Sequence, residues 1–117
     1  MPWIALESSC PLSPDQSEAQ LLSEMTERVA KALGKPEPIV MARATLGAPM
    51  RFRSTDEPCA CFEVKGIGAP TGDQLTALCA SLCDLASAYL GVQGNRCFVV
   101  YTDVPRERWG LDSKMLG

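Results

Sequence analysis

The chain has no histidine, and that one absence removes most of the acid–base and metal chemistry available near neutral pH. There is no imidazole to ligate zinc, and no pair of CxxC motifs supplies four thiolates in its place. No apolar run approaches the roughly 18 residues of a membrane-spanning helix. The N-terminus lacks the basic flank and apolar core of a secretory signal, so the expected location is the cytosol. Any appearance outside the cell then requires a non-classical route. Positive charge is scarce as well: eleven Lys and Arg against fourteen Asp and Glu leave a net charge of −3. That balance offers no electrostatic footprint for nucleic acid.

What is present fits one domain spanning residues 1–117. Hydrophobic residues make up 46% and charged residues 21%, ordinary values for a globular chain with its own core. Six cysteines stand at 10, 59, 61, 79, 83 and 97, all in apolar segments where a thiol packs as a small hydrophobe. Buried free thiols are therefore expected. Cys79 and Cys83 are one helical turn apart, and Cys59 and Cys61 share a strand face, so either pair is placed to respond to oxidation. A structural role is the stronger reading for both.

The pattern along the chain repeats. Residues 2–9 read as a strand, and Ser13, Pro14 and Gln16 resemble a capping box that opens a helix with proline at its first position. Leu22, Met25, Val29 and Leu33 form its apolar face, and Gly34 ends it. Residues 39–46 resume an extended pattern. A second strand, 59–65, alternates Ala60, Phe62 and Val64 with Cys61, Glu63 and Lys65, the first set facing helices. Thr71 and Gln74 repeat the cap before Leu75, Leu78, Leu82, Leu85 and Tyr89, and Gly91 closes this helix. Residues 96–102 are aromatic and β-branched throughout and give the clearest strand. The halves match as strand, helix, strand: a duplicated βαβ of the α+β class. Right-handed crossovers place both helices on one face of a four-stranded mixed sheet. The other face carries Phe98 and Val100 uncovered, which predicts a homo-oligomer with closed symmetry.

Pro2 is the most chemically suggestive residue. Removal of Met1 ahead of a small residue leaves Pro2 as a free secondary amine. An α-amino group titrates at roughly 7.7–8.0, so burial or a nearby cation leaves much of it neutral and able to act as a base. Lys35 has a plain explanation as a cation beyond a helix C-terminus, and Ile67 as a turn residue. Trp3 and Trp109 either flank a pocket or pack an interface.

Pro2, Leu33-Gly34-Lys35-Pro36, Val40-Met41, Pro49-Met50-Arg51-Phe52, Ser54-Thr55-Asp56-Glu57-Pro58-Cys59-Ala60, Ile67-Gly68 and Trp109-Gly110 together resemble the macrophage migration inhibitory factor and D-dopachrome tautomerase family. The resemblance spans essentially the whole chain. It implies a symmetric homotrimer whose sheets form a central barrel, with sites at subunit interfaces. It further implies a cofactor-free keto–enol tautomerase in which Pro2 is the base, Lys35 holds a substrate oxygen and the Ile67 backbone N–H holds another. Its substrate would be a small aromatic enolisable keto acid such as an arylpyruvate. The alternative it implies is a cytokine-like protein that binds a cell-surface receptor, with vestigial catalysis. Two departures stand out. Phe98 and Val100 occupy positions where the family often has tyrosine and asparagine from the neighbouring subunit, which leaves Phe98 as an apolar substrate contact. The family's CxxC is broken to Cys59-Ala60-Cys61-Phe62, so no thiol oxidoreductase activity is inferred.

Overall fold

Ile4 and Leu6 alternate with more exposed neighbours in β1 (Trp3–Ser8), as Phe62 and Val64 do in β3 (Ala60–Gly66), and all four are essentially fully buried. This period of two puts their apolar sets on one face, which the computed structural model, describing residues 1–117, covers with two helices. Between these strands and beyond them lie α1 (Glu18–Leu33), β2 (Met41–Thr45), α2 (Gly72–Leu90) and β4 (Cys97–Asp103). The sheet order is β2-β1-β3-β4, with β1 parallel to β2, β3 parallel to β4, and the two pairs joined antiparallel through β1 and β3. Each parallel pair is bridged by its own helix. The duplicated βαβ is therefore the architecture observed.

The core is the seam between the helices and that sheet face. Leu21, Met25 and Val29 of α1 meet Leu78, Leu82 and Leu85 of α2, with Phe62 beneath them. Each such side chain contributes roughly 1.5–3 kcal/mol by leaving water. Tyr89 adds a polar tie on the outer side, its hydroxyl donating to Glu24 at 2.5 Å, and Arg28 reaches both Glu24 and Asp84.

The start of α1 differs from the sequence expectation. Ser13 and Gln16 do bond to each other, but they close a turn. The N-cap is Ser17, whose side chain accepts from the Gln20 N–H at 3.0 Å. The later start moves Leu21 into the core and leaves Leu22 only partly buried. The second cap is as expected: Thr71 accepts from the Gln74 N–H and Gln74 accepts from the Thr71 N–H. Both helices end at a glycine in the left-handed region, Gly34 at φ 65° and Gly91 at φ 65°.

A C-terminal hairpin, β5 (Gly110–Leu111) with β6 (Lys114–Met115), was not anticipated from the sequence. Its two-residue turn places Asp112 and Ser113 at positive φ, the conformation usually signalled by Asn-Gly. The cysteines also differ from expectation. Only Cys59 is buried, while Cys79 is exposed and the other four are intermediate. Cys59 lies just before β3, bonded through its backbone to Ser8 and Ser9, and lines one cavity with Cys61. Burial, followed by the neighbouring Cys83, pushes the Cys97 thiol far up, so it stays protonated at neutral pH.

The open sheet face is less apolar than Phe98 and Val100 suggest. Strand pairing lines up Arg43, Ala5, Glu63 and Val100 in one row across the sheet. Thr45, Glu7, Cys61 and Phe98 form the next. Phe98 is 55% exposed, its ring set edge-on to Phe52 at 4.9 Å.

Candidate active site

Pro2 sits at the entrance to β1, buried, and its carbonyl accepts from the Met41 N–H at 3.1 Å. Sheet pairing on both sides of β1 fixes it there. The C-terminus of α1 delivers Lys35: Gly34 takes the left-handed turn, and the Lys35 N–H donates back to Ala30 at 2.9 Å. The end of β3 delivers Ile67, where the chain turns through Gly68 at φ 99°. These three segments meet around one cavity of about 250 Å³ lined by Pro2, Lys35 and Ile67 together with Gly66, Gly68 and Tyr101. Three of the four expected site residues are thus brought together by the fold.

Phe98 is not among them. It pairs with Cys61, and Cys61 pairs with Glu7, five residues along β1 from Pro2. Phe98 instead lines a separate cavity with Phe52 and Arg96. Within one chain it is remote from the Pro2 cavity.

The electrostatics are one-signed. Lys35 forms no ion pair, so its ammonium charge is uncompensated within the chain. The Met1 α-amine, adjoining Pro2, is held below the ordinary amine range by burial first, then by Lys35 and Arg106. The Ile67 N–H makes no hydrogen bond within the chain. A cation and an unbonded backbone donor on residues that line one cavity can hold a ligand carrying two oxygens. Pro2 also borders a second, larger depression of about 600 Å³, predominantly apolar, walled by Trp3, Trp109, Ile39 and Leu111. The polar cavity and the apolar one therefore adjoin at Pro2.

Sequence reasoning missed Tyr101 and Gly66 as cavity residues. The Tyr101 hydroxyl donates to the Gly68 carbonyl at 3.3 Å and lies 2.8 Å from where a Cβ on Gly66 would stand. A larger residue at 66 would crowd that hydroxyl, while the ring carbons stand at ordinary contact distance. The signal was a glycine at the end of a strand, which a turn alone already explained.

The chain is similar to known proteins over its whole length. The family model for macrophage migration inhibitory factor (MIF) matches residues 1–116. A macrophage migration inhibitory factor homolog of Brugia malayi is 27% identical over 117 residues, covering all of both chains. Macrophage migration inhibitory factor of Xenopus laevis is 32% identical over 84 residues, 72% of this chain and 73% of that one. The crystal structure of the homologue from Prochlorococcus marinus has a TM-score of 0.90 at 33% identity, covering 98% of this chain and 99% of that one. With its duplicated βαβ, its buried Pro2 and a match from end to end, the chain belongs to the macrophage migration inhibitory factor family.

Proposed function

We propose that this protein is a cofactor-free keto–enol tautomerase in which Pro2, freed by removal of Met1, is the general base. The observation that carries this reading is the convergence of buried Pro2, unpaired Lys35 and the free Ile67 N–H on one cavity. Neutral Pro2 takes a proton from the carbon beside the substrate carbonyl, electrons move onto the carbonyl oxygen to give an enolate, and that oxygen takes a proton from water to give the enol. In the reverse direction the Pro2 ammonium returns the proton to carbon. Lys35 holds a carboxylate oxygen of the substrate and keeps the amine neutral, because a nearby cation disfavours a second positive charge. The Ile67 N–H supplies a further donor to the developing oxyanion. The substrate is a small aromatic enolisable keto acid, its ring lodged in the apolar depression between Trp3 and Trp109.

The working form is a homotrimer whose sheets close into a central barrel. What supports this is the open sheet face with exposed Phe98 and Val100, and further exposed apolar side chains at Met41, Leu111 and Met115. Phe98 would then reach a substrate only from a neighbouring subunit.

The test is phenylpyruvate ketonisation by the wild type and by Pro2→Gly. Loss of at least about a hundredfold in kcat/KM is expected, the scale of a general base. Unchanged turnover in the variant rejects the reading. A second reading, a cytokine-like role at a cell-surface receptor after non-classical release from the cytosol, draws on the family's name alone. Receptor binding that survives Pro2→Gly, beside negligible wild-type turnover, would favour it.

A further inference from the structure

Gln74 has two ends with different duties. Its Oε1 accepts from the Thr71 N–H at 2.8 Å as part of the α2 cap, and this bond fixes which end of the amide is which. A backbone N–H needs an acceptor, so Nε2 is left pointing elsewhere. Nε2 lies 4.0 Å from where a Cβ on Gly34 would stand, directly before Lys35, and makes no hydrogen bond within the chain. Gln74 lines the Pro2 cavity. Lys35 Nζ is itself 3.9 Å from the position of a Cβ on Gly68, across the same cavity.

The cavity therefore holds three donor groups without acceptors: the Gln74 amide, the Lys35 ammonium and the Ile67 N–H. A bare ketone has one acceptor oxygen to offer them. An α-keto acid has three.

We propose that Gln74 is a substrate-binding residue that, with Lys35, grips the carboxylate of an α-keto acid and so selects keto acids over neutral carbonyl compounds. This rests on the tautomerase reading above. The carboxylate lies toward α2, one oxygen on Lys35 and the other on Gln74. The carbonyl is left to Ile67, and the reactive carbon faces Pro2. Anchoring the helix cap and the ligand with one side chain also holds the donor rigid.

Gln74→Glu separates the two duties, because glutamate serves equally well as the capping acceptor while replacing the donor with an anion. The expected result is an unchanged Tm with KM for phenylpyruvate raised about tenfold or more, kcat little altered, and KM for its methyl ester nearly unchanged. Gln74→Met, which removes the donor without adding charge, should shift KM in the same direction by a smaller factor. Binding of benzoylformate, an α-keto acid that cannot enolise, is measured alongside by NMR titration. If the wild type binds it and Gln74→Glu does not, the assignment stands even where no ketonisation occurs, and only the role of Pro2 falls. Equal benzoylformate affinity in wild type and Gln74→Glu, equal losses for acid and ester, or no wild-type binding would each overturn it.

Discussion

At the scale of single residues, the proposed chemistry turns on how an amine is kept neutral. Burial and the Lys35 and Arg106 cations lower the Met1 amine, and Pro2 stands beside the same lysine. A base works in its neutral form, so activity should persist below the ordinary amine range of roughly 7.7–8.0 and fall as pH drops through the lowered value. Lys35→Ala removes a cation, favours the charged amine and should move the acid limb of kcat/KM to higher pH. A pH-rate profile of both proteins checks the sign. In the proposed trimer, Phe98 and Val100 of a neighbouring subunit offer no polar partner for a ring hydroxyl. Phenylpyruvate should therefore exceed 4-hydroxyphenylpyruvate in kcat/KM by about tenfold, and equal values would remove those two positions from the pocket. Pro2, Lys35 and Ile67 were legible in the sequence because their resemblance to a family motif is local. Tyr101 and the free end of Gln74 were not, since each acquires its role from a contact with a segment more than thirty positions away.

At the scale of elements, caps and turns decide where the site residues land. Gly34 lets the chain reverse at the end of α1 and aim Lys35 inward, and Thr71 with Gln74 anchors the start of α2. Thr71→Ala should cost about 1 kcal/mol, the usual loss for an N-cap, and lower Tm by about 4 °C in thermal denaturation. A Tm unchanged within a degree would show that the cap is dispensable. The two caps show why boundaries are harder to read than elements. Ser13 with Gln16 and Ser17 with Gln20 both fit the spacing, and only packing of Leu21 into the core with Phe62 selects the later one. The C-terminal hairpin was invisible for a different reason. Asp112 and Ser113 adopt a turn normally advertised by glycine, and two-residue strands carry no periodicity.

At the scale of the whole molecule, the duplicated βαβ leaves one sheet face without a layer. The strand order and helix placement were legible because two long amphipathic segments with matching caps admit few arrangements. The character of the open face was less so. Its rows mix Glu7, Arg43, Glu63 and Lys65 with Ala5, Val100 and Phe98, a composition suited to lining a solvated channel rather than a dry interface. Sedimentation at micromolar concentration should give three copies of the chain, and a monomer would contradict the barrel. The proposed catalysis depends on the amine at Pro2. Intact mass spectrometry establishes whether Met1 is absent, and phenylpyruvate ketonisation is then measured on that same sample and on Pro2→Gly. A wild type lacking Met1 that turns over, beside a variant at least about a hundredfold slower, is the predicted result. Equal turnover in the two, or a Met1-free wild type with none, would contradict Pro2 as the base.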